Sequence, residues 1–225
     1  LKVDFTNQIF DERVLANLVA LAEETHLAKA IADLVAGEQV NNSEKQSALH
    51  IGLRHSEVAR ETGQYDSVFD QFEKMVEVER SISEGNRRGF TQKPFTDIVQ
   101  IGIGGSHLGS KFLIEALQEH RTNHVRIHFI SNVDPNNFLE TTKKLNPETT
   151  LFIVVSKSFK TIETAVNFRS VRSWFSERTN KSQDFHKHVI AVTENVEAAK
   201  ILGIRKNSIF KIPRAVGGRY SVWSA

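Results

Sequence analysis

The sequence predicts an α/β fold: a three-layer α/β/α sandwich around a five-stranded parallel sheet, preceded by an α-helical segment. Three observations carry this expectation. Before about residue 90 the apolar residues recur at helical spacing. After Pro94, short β-rich runs alternate with helical stretches. The first of those runs ends in glycines, where a strand would hand over to a helix. Strands alternating with helices build βαβ units, whose right-handed crossovers require a parallel sheet.

The elements follow in order. Leu15, Leu18, Val19, Ala22, Leu27, Ile31 and Leu34 place one helical stripe between Asp11 and about Ala36, and Gly37 stops it. Asn41-Asn42-Ser43 with Glu44 forms a turn into a short helix carrying Leu49 and Leu53. Asp66 to Ser83 sets Val68, Phe69, Phe72, Met75, Val76 and Val78 among charges, a second amphipathic pattern that Gly85, Asn86 and Gly89 end. Asp97 to Ile103 reads as the first strand, Leu108 to His120 as a helix, and Val125 to Ile130 as the second strand. A helix started by Pro135 leads to the third strand, Leu151 to Val155, and a helix follows from Glu163 to Ser176. His188 to Val192 and Ser208 to Ile212 are the last strands, around a short helix. Five strands in this length suggest a flavodoxin-like arrangement, with residues 1–90 a helical segment and 91–225 the sheet domain.

Composition narrows the functional classes. Lys and Arg number 29 against 27 Asp and Glu, a net charge of +2 with no block of one sign, which disfavours a nucleic-acid partner. The apolar run Leu151 to Val155 is far too short to span a bilayer, so no membrane role is expected. No charged n-region followed by an apolar core opens the chain. The absence of Cys excludes disulfides, cysteine-ligated zinc and thiol catalysis and fits a reducing compartment; the expected location is the cytoplasm. The chain starts at Leu1 and stops at Ala225, just after Val222-Trp223, and reads as a fragment.

In open α/β sheets ligands sit beyond the carboxyl ends of the strands, and two such ends stand out. Gly102-Ile103-Gly104-Gly105-Ser106-His107-Leu108-Gly109 lets backbone approach a ligand and offers a helix N-terminus to an anion; the alternative is a tight turn without a ligand. A dinucleotide fingerprint needs glycine where His107 stands, and no acidic residue ends the second strand, so NAD is disfavoured. Ser156-Lys157-Ser158-Phe159-Lys160-Thr161 follows the third strand with three hydroxyls, a lysine and a helix dipole, which suits a phosphate; the alternative is helix capping. Gly217-Gly218-Arg219 holds a guanidinium at a bend, fit for an oxyanion, against a plain surface arginine. His186 and His188 could share a metal, with a solvated strand end as the alternative favoured. No metal site is expected.

With these sites in hand, the chain resembles the glucose-6-phosphate isomerase family over essentially its whole length. The resemblance rests on Gly102 to Gly109, on Asn146-Pro147-Glu148-Thr149-Thr150-Leu151-Phe152-Ile153 through Thr164, and on Gly217-Gly218-Arg219-Tyr220-Ser221 with Trp223-Ser224-Ala225. Gly37-Glu38, Asn41-Asn42 and Leu49-His50 to Leu53-Arg54 resemble the family's helical lead-in. The resemblance implies a first sugar-isomerase (SIS) domain acting without a cofactor on glucose 6-phosphate and fructose 6-phosphate through a cis-enediol(ate). It implies phosphate binding by Ser106, Ser156, Ser158 and Thr161, with Lys157 beside the phosphate and the Gly105 backbone near the sugar. It implies that Arg219 stabilises the enediolate and that Glu163 orients a catalytic histidine.

The family's base glutamate, ring-opening histidine and a further lysine are expected beyond Ala225, the histidine coming from the partner subunit of a homodimer. The fragment alone is therefore expected to bind sugar phosphate without turning it over. Departures from the family pattern are His107 for aspartate, Ser110 for proline, Ser158 and Lys160 for threonines, and Gln46 for arginine. The competing reading is a non-catalytic sugar-phosphate-binding module of the same fold, because fold alone does not settle function.

Overall fold

A computed structural model describes residues 4–50, 66–120 and 124–218. Leu53 and Arg54 of the expected second helix, and Arg219 to Ala225 of the signature, lie outside these residues.

The single helix expected from Asp11 to Ala36 is two. Helix α1 (Glu12–Glu24) begins where the Asp11 carboxylate accepts the Val14 N–H at 2.8 Å. It ends where the Thr25 hydroxyl turns back onto the Leu21 carbonyl at 2.7 Å and His26 adopts a left-handed φ of 53°. Helix α2 (Leu27–Val35) then folds back onto α1. Periodicity could not show this break, because both helices carry the stripe; Leu15, Leu18, Leu27 and Ile31 remain about half exposed. The turn at Asn41 is closed by reciprocal backbone bonds between Asn41 and Gln46.

Helix α3 (Asp66–Ser83) matches the expected span. Five strands follow among the described residues: β1 (Asp97–Ile101), β2 (Arg126–Ile130), β3 (Thr150–Val155), β4 (Val189–Thr193) and β5 (Ile209–Lys211). Every pairing is parallel and the order is β2-β1-β3-β4-β5. That is the flavodoxin-like order, in which the chain reverses its direction of travel between β1 and β3. The connecting helices are α4 (Gly105–Ala116), α5 (Pro135–Thr142), α6 (Ile162–Thr179) and α7 (Val196–Ile201). Helix α4 starts three residues earlier than expected and β1 stops two residues sooner, because the glycine turn is tighter than the pattern showed.

Each face of the sheet has its own core. On one, Val99, Ile101, Phe152 and Val154 pack against Phe168, Val171, Trp174 and Phe175 of α6 and against Phe185. Thr164 and Asn167 share the buried stripe of α6, which is why its apolar pattern reads weakly in sequence. On the other face, Leu151, Ile190, Val192 and Phe210 meet Met75, Val78 and Ile82 of α3. Helix α4 stands beside α3 there, and a cavity of about 450 Å³ between them opens onto Ile98, Ile153 and Val155. Helix α3 also closes the edge of β5. The Lys74 ammonium donates to the Ile209 carbonyl at 2.6 Å and the Gln71 side-chain oxygen accepts the Lys211 N–H at 2.8 Å, which replaces the missing neighbour strand.

The amino ends of the strands are held by buried polar groups. Asp97, 1% exposed, accepts two bonds of 2.8 Å from Arg126, one contact of 2.8 Å from His128 and one from the Thr96 hydroxyl. Burial opposes its charge, but the bonds from Arg126, His128 and Thr96 outweigh burial and hold the carboxyl below its ordinary value.

His188 is the larger correction. It is neither a solvated strand end nor open to a metal: it is fully buried at the end of the 3₁₀ segment Ser182–His188, among Phe90, Phe95 and Phe175. The Phe90 N–H donates to its Nε2 at 3.0 Å, so Nε2 carries no proton and Nδ1 donates to the Thr150 carbonyl at 2.8 Å. A Cβ at Gly89 would lie 2.5 Å from the imidazole Cε1, so only glycine lets this loop settle on the ring.

Burial, outweighing the Thr150 carbonyl, pushes the His188 pKa below its ordinary 6.5. The unfolded chain therefore takes up this proton first, and stability is lost as pH falls below about 6.5. Asp97 loses its contribution only below the ordinary carboxyl value of 3.8, well outside that window. Urea midpoints measured from pH 7.5 to 5 should fall, and His188→Gln, less stable throughout, should show a shallower slope. Equal slopes for the two proteins would mean that His188 is not held neutral.

Candidate functional site

The carboxyl ends of β1 and β3 leave the sheet side by side, since Ile101 pairs with Val154. After β1, Gly102 passes so close to α4 that a Cβ there would meet the Ser106 carbonyl oxygen at 2.6 Å. Gly104, with φ 58°, turns the chain into the helix. The Gln100 amide holds the Ser106 carbonyl at 2.8 Å, which places Ser106 in the first turn of α4.

After β3, the chain makes the loop Ser156 to Thr161 before α6. The Ser156 hydroxyl accepts the Phe159 N–H at 3.1 Å and the Ser158 hydroxyl accepts the Lys160 N–H at 3.1 Å. Each hydroxyl thus keeps its own hydrogen for an outside acceptor. Thr161 occupies the N-cap of α6 without a side-chain capping bond, so capping does not account for its hydroxyl. Phe159 carries a left-handed φ of 55°, a conformation a bulky residue holds only when its surroundings enforce it. They do so on two sides. Phe159 packs on the α6 core, and β4 grips the backbone from beyond its own end. The Lys157 carbonyl accepts from the Glu194 N–H at 2.9 Å and the Thr193 hydroxyl at 3.1 Å, and the Ser158 carbonyl from the Asn195 amide at 3.2 Å.

These pieces border one cavity of about 670 Å³, a usual size for a small-molecule site. Gly105, Ser106, Ser156, Lys157, Ser158 and Thr161 all line it. Glu163 stands in the first turn of α6, half-buried, and is not among the lining residues; Arg219 lies outside the described residues, though its neighbour Gly218 reaches the cavity. The floor is made of hydroxyls and the N-terminal ends of α4 and α6, whose dipoles turn their positive ends to the cavity; in α4 the Ser106 and His107 N–H groups are already bonded to the Ile103 and Gly104 carbonyls. An oxyanion with several acceptor oxygens is what such a floor can hold.

Sequence reasoning missed Thr164, Glu194, Glu44, Gln46 and Arg214 on the cavity wall. Thr164 was reachable, one helical turn from Thr161. Glu194 was reachable too, as the residue after a strand's carboxyl end. Glu44 and Gln46 had no local signal: the Leu49 N–H bonds to the Ala215 carbonyl at 3.0 Å, which brings the turn at residues 41–46 beside Arg214. The Glu44 carboxylate accepts from the Gln46 amide and lies 3.9 Å from the Lys157 ammonium. No group of three or more potential metal-ligating side chains occurs among the described residues. No helix among them is long and apolar enough to cross a membrane.

Comparison with known proteins gives a consistent set of relatives. The family model described as phosphoglucose isomerase matches residues 4–225. A glucose-6-phosphate isomerase of Blochmanniella pennsylvanica is 41% identical over 228 residues, covering 99% of this chain and 41% of the relative. The crystal structure of a glucose-6-phosphate isomerase from Chlamydia trachomatis superposes with a TM-score of 0.73 at 29% identity, covering 96% of this chain and 41% of that one. A hypothetical protein of Thermus thermophilus superposes with a TM-score of 0.63 at 28% identity over 91% of this chain and 43% of its own. The chain thus spans about two fifths of the length of these relatives.

The contact between Gly102 and Ser106 can be tested directly. Gly102→Ala should destabilise the chain by about 2 kcal/mol, the scale of an overpacked site. Urea unfolding measures it, and an unchanged midpoint would show that the turn is not as tight as described.

Proposed function

The chain belongs to the phosphoglucose isomerase family, and on that premise we propose that it supplies the phosphate-binding half of an active site that interconverts glucose 6-phosphate and fructose 6-phosphate. The observation that carries this reading is the convergence of Ser106, Ser156, Lys157, Ser158 and Thr161, from two strand ends, on one cavity. The hydroxyls and helix ends take the phosphate; the half-buried Lys157, 24% exposed, adds charge at its side. Gly105 brings backbone near the sugar. After ring opening, a proton moves between C2 and C1 through a cis-enediol(ate), without a cofactor. Arg219 stabilises that anion as preplaced charge, and Glu163 orients a histidine provided by the partner subunit of a homodimer.

On this reading residues 91–225 are the SIS domain and residues 1–90 a helical lead-in that lends α3 to the sheet. The enzyme works in the cytoplasm, at a step of glycolysis and gluconeogenesis. The base, the histidine and a further lysine belong to the part of the family's length that this chain does not span.

Calorimetric titration of the chain with fructose 6-phosphate, beside a coupled isomerase assay, tests the proposal. Binding without turnover is expected, and Ser156→Ala/Ser158→Ala should weaken it at least about tenfold, the loss of two hydrogen bonds to a charged group. Binding that ignores the double substitution would remove the phosphate from this loop, and turnover by the chain alone would relocate the chemistry.

A further inference from the structure

At the amino end of β5, the opposite end of the sheet from the cavity, two cations come together without a carboxylate. Lys74 on α3 and Arg87 in the loop after that helix are both half-buried. Arg87 Nη2 donates to the Ser208 hydroxyl at 2.9 Å, and Lys74 Nζ donates to the carbonyl of the next residue, Ile209, at 2.6 Å. Neither cation has an acidic partner among the described residues. Glu84, three residues before Arg87, accepts from the Asn86 amide instead. Burial first, and then the charge of Arg87, push the Lys74 pKa below its ordinary 10.5, and burial lowers that of Arg87. At the amino end of β1 the matching problem is solved within the chain, where Arg126 meets Asp97. Here it is left open, although a half-buried charge is costly unless something of opposite sign meets it.

The groups at this end of β5 are held in place and keep donors to spare. Lys74 Nζ lies 4.5 Å from the centre of the Phe210 ring, and the Arg87 N–H is bonded to the Ser81 carbonyl at 2.7 Å. An ammonium carries three donors and a guanidinium five, of which Ile209 and Ser208 take one each. The Ser208 hydroxyl, 3% exposed, accepts from Arg87 and so retains its own hydrogen to donate. Arg205 and Lys206, both exposed, open the 3₁₀ turn Lys206–Ser208 that leads into β5, and they add to the positive field there.

We propose that Lys74, Arg87 and the Ser208 hydroxyl form a second oxyanion site, fit for inorganic phosphate, at the amino end of β5. Two fixed cations match a dianion, where a lone carboxylate would neutralise only one of them. The guanidinium fork suits two oxygens of a tetrahedral anion, while the ammonium and the hydroxyl are placed to meet others. Because Ser208 and Ile209 are consecutive, the donors serve a ligand no larger than one such anion. The site shares no residue with the loop Ser156 to Thr161. A bound anion would tie α3 and the loop after it to the start of β5, and by mass action it would stabilise the folded chain.

The test is a titration of the chain with inorganic phosphate, followed by the backbone amide NMR signals of Ser208 and Ile209, beside sodium chloride at equal ionic strength. These signals should shift saturably with phosphate and not with chloride, and added salt should weaken the binding. Arg87→Gln and Lys74→Gln should each weaken it at least about tenfold, the scale of a lost hydrogen bond between charged groups. Arg87→Lys, which keeps the charge without the fork, should lose less than Arg87→Gln. Lys74→Gln leaves the bond from Arg87 to Ser208 in place, so it carries the test if Arg87→Gln fails to fold. Ser156→Ala/Ser158→Ala should leave these shifts as they are, whatever it does to the cavity. Shifts no greater than those of chloride, or indifferent to Lys74→Gln and Arg87→Lys alike, would overturn the proposal. So would shifts that vanish in the Ser156→Ala/Ser158→Ala chain, since they would then report the cavity and not the end of β5.

Discussion

Strands β1 and β3 lie side by side, parallel and in register, and from that pairing the rest of the molecule follows. Ile101 opposite Val154 sets the heights at which the chain leaves the two strands, so a glycine turn and a hydroxyl-rich loop that are far apart in sequence emerge as neighbours. The pairing also forces the change of direction between β2 and β3, and the crevice opened by that reversal is where α/β sheets hold their ligands. Because β3 is covered on both faces, its side chains are nearly all apolar, and the first residue free to be polar is Ser156 at its end.

Polar chemistry is partitioned between the ends of the sheet. At the amino ends, Asp97 and His188 are buried with their hydrogen-bonding capacity used internally, by Arg126, His128 and Thr96 in one case and by Phe90 and Thr150 in the other. Buried polar groups that are fully satisfied give a fold rigidity without offering anything to a ligand. At the carboxyl ends the hydroxyls of Ser156 and Ser158 accept bonds from their own loop and still keep a donor each. The backbone of that loop is tied down by Thr193, Glu194 and Asn195, so its donors are aimed before any ligand arrives.

Much of this was legible beforehand, for reasons that differ by region. The five strands were readable because a parallel sheet buried on both faces writes itself as short apolar, β-branched runs between turn residues. The boundaries drifted where glycines allowed more than one path: β1 stopped at Ile101, and α4 absorbed Gly105 and Ser106. The break at Thr25 and His26 was invisible because a single apolar stripe continues through it. His188 was misjudged because two histidines spaced by one residue look alike in sequence, while only the packing of Phe90, Phe95 and Phe175 around one ring shows which is inside.

By itself, the sequence determined the α/β class, the strand–loop–helix positions of Ser106 and of Ser156 to Thr161, and the family pattern they form. Those features are local: glycine conformation, helix dipoles and side-chain chemistry act over a few residues. Only the tertiary structure decided that Glu44 meets Lys157, that Glu194 meets Arg214, and that Thr193 holds the loop after β3 from the neighbouring strand. These contacts join segments separated by long stretches of chain. They depend on strand register and helix packing, and no local signal in the chain encodes them.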